Sequence, residues 1–199
     1  ALEKYLTQAL MIGTTAVMAR ILTPVETGLY LTANAVVLLA DNFRTFGVGI
    51  CIVQAQELSS GLIRSAFTLT ASLSAVIAVA IIVGAGSIAT FYGAPELEHL
   101  LVLAALAFGA MPIGNVILAV LQREMKFHIM AGINIAAALS NSAVTISLGA
   151  LGFGPVSYVW GFLAATATIS VLAFIAKPDA TMFLPSFLHF RRILSFGLI

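Results

Sequence analysis

Charged residues are scarce in this sequence. Asp, Glu, Lys and Arg make up 9% of its 199 residues, whereas a soluble domain carries about 25%. Hydrophobic residues make up 61%, and the mean hydropathy is +1.10. This composition excludes a water-soluble domain. Because no dense run of Lys and Arg occurs, it also gives no indication of nucleic-acid binding.

Residues that build catalytic and metal sites are also few. Cys51 is the single cysteine, so an intramolecular disulfide is impossible. His99, His128 and His189 are widely separated and lie near predicted membrane boundaries. No glycine-rich phosphate loop occurs, which excludes an ATP-driven motor within the chain. We therefore expect no enzyme, no metal site and no cofactor, with a coupling proton or Na⁺ left open.

The chain does contain six long apolar stretches joined by short connectors. A helix crosses the hydrocarbon core of about 30 Å with about 20 residues, and lipid offers no partners for the backbone of an open strand. The sequence therefore predicts an all-α integral membrane protein with six transmembrane helices. The predicted spans cover residues 5–19, 28–50, 66–91, 98–121, 128–150 and 156–176. Proline and glycine oppose helix continuation at the breaks Thr23-Pro24, 92–95, 152–155 and Lys177-Pro178.

Lys and Arg residues are unevenly distributed among the connectors. Arg20 alone falls on one side of the predicted bundle, Arg44 lies within a span, and connectors 92–97 and 152–155 contain neither residue type. The other basic residues all fall on the opposite side: Lys4, Arg64, Arg123, Lys126, Lys177, Arg191 and Arg192. Because positively charged loops stay in the cytoplasm, we expect the N-terminus to be cytoplasmic.

The second span carries two charged residues near its middle. Counted from Leu29, Asp41 lies about 18 Å along the helix, and Arg44 follows three residues later on nearly the same face. A charge at this depth costs about 2.5–3.5 kcal/mol and usually faces a partner or a hydrated cavity. Asp41 and Arg44 are therefore either a self-neutralising pair that helps packing or a charge pair that lines a cavity.

Polar residues recur at a spacing of seven in three spans. The pairs are Gln8–Thr15, Asn34–Asp41 and Asn134–Asn141. Such a repeat is typical either of interhelical hydrogen bonding, which contributes about 0.6 kcal/mol on average, or of a shared hydrated interior. In the fourth span, Pro112 is expected to kink its helix.

Eight short segments along the chain match, in order and spacing, segments of a known protein family. They are 19–30, 42–49, 52–54, 57–58, 63–67, 91–97, 121–127 and 151–154. Together these segments resemble the polysaccharide-export flippases (Wzx-type lipopolysaccharide biosynthesis proteins), which share a superfamily with the multidrug-and-toxin-extrusion (MATE) transporters. One departure is Thr45, because family members often carry Asp after the Phe-Arg pair that ends at Arg44.

The resemblance implies a fold of two six-helix lobes around a V-shaped cavity. Residues 1–176 are then expected to form the N-terminal lobe of a MATE-like transporter. Residues 177–199 are expected to be a cytoplasmic connector and the start of a seventh span. Because the chain begins at Ala1 and ends in the apolar segment 195–199, we expect it to be a fragment of a longer protein.

The resemblance also implies export of a lipid-linked oligosaccharide, carried on polyprenyl pyrophosphate, across the bacterial inner membrane by alternating access. Arg44 is the expected pyrophosphate contact, because arginine offers a permanently charged, bidentate fork to phosphate oxygens. Asp41 is expected either to hold Arg44 or to bind a coupling proton or Na⁺. The residues expected to bind sugar hydroxyls are Gln8, Asn34, Asn134 and Asn141, and Arg20 is expected to guide or release an anionic headgroup.

The expected partners are the lipid-linked oligosaccharide and the lipid bilayer, with a polysaccharide polymerase and glycosyltransferases in the same assembly. Two alternatives remain open. One is a cation-coupled multidrug antiporter of the same superfamily, in which Asp41 matters more than Arg44. The other is a non-transporting membrane scaffold for polysaccharide assembly, which depends on neither charge.

Overall fold

The computed structural model describes residues 2–44, 60–179 and 184, and these form helices and turns with no strand among them. The all-α prediction is confirmed for this part of the chain. The helices are α1 (Leu2–Ile21), α2 (Pro24–Arg44), α3 (Ser60–Phe91), α4 (Glu96–Ala105), α5 (Ala107–Arg123), α6 (Phe127–Ala150) and α7 (Val156–Ala176).

Four of the described helical segments are long and apolar enough to cross a membrane. They are α3, the combined α4–α5 segment, α6 and α7. The first two helices are not among them, and each of these carries three charged residues. A multi-pass membrane protein is therefore supported by the structure, while the count of six spans stays a prediction.

Helix ends form where the sequence predicts breaks. Before α2, the Thr23 hydroxyl accepts a hydrogen bond from the Glu26 backbone N–H at 3.3 Å. In return, Glu26 Oε2 accepts from the backbone N–H and the hydroxyl of Thr23, both at 2.8 Å. This reciprocal cap satisfies N–H groups at the helix start, and Pro24 occupies the first helical position, where no N–H is needed. Between α6 and α7, Gly152 and Gly154 adopt φ of 84° and 60°, which glycine does without strain.

The predicted kink in the fourth span corresponds to a break between two helices. α4 and α5 are separated at Leu106, and Pro112 lies inside α5. Proline has no N–H to donate to the carbonyl of Phe108, four residues earlier, and its ring crowds that carbonyl. Leu106 itself keeps helical dihedral angles (φ −62°, ψ −29°), and around it the N–H groups of Leu106 and Gly109 bond to carbonyls three residues earlier.

The closest helix packing lies between α6 and α7, and α6 also packs against α1 while α7 packs against α5. α3 packs against α4 and α5, and α2 packs against α4. The largest buried cluster joins α2, α3, α4 and α7 through small and aliphatic side chains that include Val37, Ala85, Leu100 and Val159. Large apolar side chains such as Val83 and Ile175 point outward, as expected for helices that face lipid.

Several basic residues gather at one end of the bundle. Glu124, directly after α5, pairs with Lys126 at 2.8 Å and with Lys177, which follows α7. These two lysines donate hydrogen bonds that hold the pKa of the Glu124 carboxyl below its ordinary value of 4.5. The start of α3, which carries Arg64, packs beside the last turns of α5. We call the end that holds Arg64, Lys126 and Lys177 the basic end. Its position relative to the membrane stays a prediction.

Candidate functional site

A cavity of about 430 Å³ lies between α2, α3, α5 and α7. Its apolar lining includes Met111, Phe162 and Ile169. The polar lining residues are Asp41, Arg44, Thr70, Asn115, Gln122, Thr166 and Ser170. A largely apolar wall with a few convergent polar groups is typical of a ligand site, and the volume falls in the range of about 300–1,000 Å³ of such sites.

The cavity extends from the middle of the bundle, at the level of Thr166 in α7, toward the basic end, where Gln122 lies one residue before the end of α5. Asn115 precedes the end of α5 at Arg123 by eight residues, or about 12 Å. Asp41 lies about 26 Å from the start of α2, because this helix begins at Pro24 and not near Leu29. α2 therefore begins earlier than the predicted second span, and Asp41 lies farther along its helix than the count from Leu29 predicted.

Arg44 is buried and paired with Asp41. Its side chain is 2% exposed, whereas that of Asp41 is 35% exposed. The guanidinium donates from Nε and Nη2 to Oδ1 of Asp41, at 2.9 and 2.5 Å. A separation of three residues on one helix places both side chains on the same face. The carboxylate is therefore the more accessible member of this pair.

Asn115 on α5 contacts the end of the same guanidinium. In the amide orientation that satisfies both side chains, Asn115 Oδ1 accepts hydrogen bonds from Nη1 and Nη2 of Arg44, at 2.8 and 2.7 Å. The guanidinium thus has the Asp41 carboxylate on its Nε–Nη2 edge and an amide oxygen on its Nη1–Nη2 edge. A buried charge is costly unless it is paired and hydrogen-bonded, so these two acceptors explain how Arg44 stays buried.

Hydroxyl groups complete the polar part of the wall. Thr70 and Thr166 each donate to the backbone carbonyl four residues earlier, at 2.8 and 2.9 Å. Ser170 on α7 donates to the Ala110 carbonyl on α5, at 2.8 Å. Because a hydroxyl has one proton and each is used this way, these oxygens act toward a ligand as acceptors. They are suited to ligands with hydroxyl or amine donors.

Asn34 lies beside this cavity and not in it. It lines a smaller void of about 20 Å³ together with Tyr30 and Phe162, and Phe162 lines the large cavity as well. Tyr30 stacks on Tyr158 with ring centroids 4.0 Å apart, which joins α2 to α7 at this level. Asn34 and Asp41 therefore mark two neighbouring voids along one face of α2.

The remaining predicted site residues lie elsewhere. Asn134 Nδ2 donates to Oε1 of Glu3 at 2.7 Å and so joins α6 to α1. Asn141 lies at the contact between α6 and α7, and Gln8 and Arg20 are exposed on α1. Of the seven residues predicted from the sequence, the large cavity brings together Asp41 and Arg44.

Asn115 and Gln122 are not among the site residues predicted from the sequence. They are seven residues apart on one helix, the same spacing that drew attention to Asn34 and Asp41. A signal for them was therefore present in the fourth span. Thr45, where the chain departs from the family pattern, lies outside the described residues.

Known proteins resemble this chain over most of its length. The model of a family described as polysaccharide biosynthesis protein matches residues 17–199. The chain is 28% identical over 130 residues to the lipopolysaccharide biosynthesis protein WzxC of Escherichia coli K12, which is 65% of this chain and 26% of that protein. It is 26% identical over 204 residues to the succinoglycan biosynthesis transport protein ExoT of Rhizobium meliloti, covering 100% of this chain and 40% of that protein.

A third relative is an uncharacterized membrane protein in the cps region of Klebsiella pneumoniae. It is 25% identical over 162 residues, which is 81% of this chain and 33% of that protein. The chain thus spans between about a quarter and two fifths of the length of these relatives. No solved structure matches the chain.

Proposed function

This chain belongs to the polysaccharide biosynthesis protein family, and we propose that it forms part of a transporter that flips a lipid-linked oligosaccharide across the bacterial inner membrane. The names of two relatives, which refer to lipopolysaccharide biosynthesis and succinoglycan transport, support this proposal. The four apolar helices support it as well. In this proposal the chain contributes one lobe of a MATE-like transporter, and further helices of a longer protein complete the substrate cavity.

The observation that carries the proposal is a buried arginine beside a cavity among apolar helices. The guanidinium of Arg44 is a planar fork of donors that fits phosphate oxygens. The hydroxyl oxygens of Thr70 and Thr166 are acceptors for sugar hydroxyls, and Phe162 adds an apolar surface. A lipid-linked oligosaccharide combines a phosphate group, sugar hydroxyls and hydrocarbon, and this lining offers a contact for each.

In the proposed cycle, Arg44 exchanges partners. Asp41 neutralises it in the empty cavity, and a phosphate oxygen of the substrate becomes its acceptor during loading. Because Arg44 is 2% exposed, loading requires Asn115 or the guanidinium to move. The helix break at Leu106 is the expected hinge for such a movement, because α5 carries Asn115. By the positive-inside rule, the basic end faces the cytoplasm, so loading takes place from that side.

The test is export complementation with the full-length protein that contains this chain. Arg44→Ala is expected to reduce polysaccharide export at least tenfold at an unchanged membrane level, and Arg44→Lys to restore it in part, since lysine keeps the charge but not the fork. Lys126→Ala is the matched control, because it removes a cation outside the cavity, and it should export normally. Normal export by Arg44→Ala at normal membrane levels would refute the proposal.

A second candidate is a cation-coupled multidrug antiporter of the same superfamily. It is favoured by one observation: Asp41 is 35% exposed while Arg44 is 2% exposed, so a cation in the cavity reaches the carboxylate first. In that case Asp41→Asn stops transport, whereas Arg44→Ala leaves much of it intact. A scaffold without transport activity predicts instead that both variants support polysaccharide assembly once they are folded.

A further inference from the structure

The amide oxygen of Asn115 occupies the edge of Arg44 that an oxyanion uses. Asn115 Oδ1 lies 2.8 Å from Nη1 and 2.7 Å from Nη2. The paired N–H groups of a guanidinium are the ones that bind carboxylate and phosphate oxygens side by side. The opposite pair, Nε and Nη2, is engaged by Asp41. An anionic ligand in the cavity therefore meets Asn115 at the position where its own oxygen has to bind.

We propose that Asn115 is the specificity-determining residue of this site. Its amide oxygen binds the Nη1–Nη2 edge of Arg44 in the empty cavity, and a diphosphate ester replaces this oxygen when it binds. The inference rests on the proposed function and adds a residue to it. The proposal assigns Asn115 to the same site as Arg44, on a different helix.

The chemistry of the amide explains why it suits this task. A diphosphate oxygen carries a negative charge, whereas an amide oxygen carries only a partial one, so the guanidinium attracts the diphosphate oxygen more strongly and the ligand displaces the amide. The amide nevertheless satisfies the buried Nη groups while the cavity is empty. A carboxylate at position 115 would bind Arg44 as strongly as the ligand does, and its negative charge would also repel the anionic ligand.

The test changes the charge of the side chain at position 115 while its shape stays nearly the same. In the full-length protein, purified in detergent, Asn115→Asp is expected to weaken binding of farnesyl pyrophosphate at least tenfold. Asn115→Ala is expected to bind it within threefold of wild type or more tightly, because it removes the competitor. Gln122→Glu is the matched control: it makes the same amide-to-carboxylate change in the same cavity but seven residues from Asn115 along α5, and it should weaken binding at least threefold less than Asn115→Asp does.

Several outcomes separate this inference from the proposed function. If Arg44→Ala binds farnesyl pyrophosphate like wild type, the proposed function and the inference both fail. Two outcomes with loss of binding in Arg44→Ala would overturn the inference alone. In the first, Asn115→Asp still binds farnesyl pyrophosphate; in the second, Asn115→Asp and Gln122→Glu lose binding equally. Equal loss in Asn115→Ala and Asn115→Asp would likewise overturn it, since that result fits a purely structural amide.

The same comparison with two further probes identifies the source of the diphosphate. If the affinities of the Asn115 variants for inorganic pyrophosphate fall in the same order, the inference is supported and a free anion is a sufficient ligand. A ranking seen with farnesyl pyrophosphate and not with inorganic pyrophosphate would support it with a lipid diphosphate as the ligand. Farnesol, which lacks the diphosphate, is expected to bind all variants alike, and a tenfold difference between them would overturn the inference.

Discussion

The charge cluster of Asp41, Arg44 and Asn115 and the polar contacts between α1 and α6 have similar sequence signatures but different surroundings. The cluster borders a cavity of about 430 Å³. Between α1 and α6, by contrast, polar groups meet directly: Thr14 donates to Ser142 Oγ at 2.7 Å, and Asn134 donates to Glu3 at 2.7 Å. Polar residues seven apart mark a polar helix face in both regions. Such a face forms a candidate site where it borders a cavity, and a helix contact where it meets polar groups of another helix.

Helices approach closely around the α1–α6 contacts, because α6 also packs against α7; we call the α1–α6 and α6–α7 contacts together the contact region. At the α6–α7 contact, a Cβ added to Gly161 would lie 1.9 Å from Oγ1 of Thr145, and one added to Gly149 would lie 2.6 Å from the side chain of Met18 on α1. Small residues of this kind allow membrane helices to pack closely. The contact region is therefore held by tight packing. In the cavity region α5 and α7 also approach closely, since a Cβ added to Gly114 would lie 2.7 Å from Ile169, and what distinguishes this region is its compensated charge.

The largest expected effect on stability breaks the charge cluster. Asp41→Asn removes the anion from a guanidinium that is 2% exposed, and an uncompensated buried charge costs about 3–5 kcal/mol. Arg44→Ala should cost less, because the remaining carboxylate is 35% exposed and is reached by water. Thermal unfolding of the full-length protein in detergent measures both, and Asp41→Glu serves as the control that keeps the charge.

The order of these two variants is the decisive result. If Asp41→Asn is as stable as wild type, Arg44 does not depend on Asp41 for its burial, and the contrast between the two regions loses its basis. If Arg44→Ala is the less stable variant, the carboxylate is the more costly member to leave unpaired, which contradicts its exposure.

The second prediction breaks the contact region by overpacking. Gly161→Ala places a methyl group 1.9 Å from Thr145 Oγ1 and 2.9 Å from the Asn141 carbonyl oxygen, so α6 and α7 have to separate. Overpacking of this kind costs about 1–3 kcal/mol. Gly132→Ala, on the same helix as Thr145, is the control, because nothing lies within 4 Å of the added Cβ. Equal unfolding temperatures for the two variants would show that the α6–α7 contact is looser than described.

Sequence patterns predicted helix positions better than helix partners. The predicted spans 128–150 and 156–176 agree with α6 and α7 within one residue, because glycine and proline fix the turn between them. α3 begins at Ser60 and not at residue 66, because hydropathy marks the lipid-crossing part and polar residues continue the helix beyond it.

The candidate site shows the same limit. Asp41 and Arg44 are three residues apart on one helix, so their pairing follows from helical geometry. Asn115 lies on another helix, and its approach to Arg44 depends on how α5 packs against the end of α2. Periodicity within one helix carries no information about that packing. The sequence therefore predicted the charge pair and offered a cavity beside it as one of two alternatives, but it did not predict the third residue of the cluster.

The smallest expected effect tests whether the contact region is separate from transport. Asn134→Leu removes the hydrogen bond to Glu3 and is expected to destabilise the protein by about 0.6 kcal/mol, and by no more than about 1.7 kcal/mol. It should leave farnesyl pyrophosphate binding and polysaccharide export unchanged, because Asn134 does not line the cavity. Thermal unfolding and export are measured on the same variant, with Glu3→Gln as the control that keeps a hydrogen-bond acceptor. If Asn134→Leu is stable but exports poorly, then a polar pair that is already satisfied between two helices still contributes to transport. A direct hydrogen bond between two helices would then not be enough to identify a polar residue as part of a helix contact and not of a substrate path.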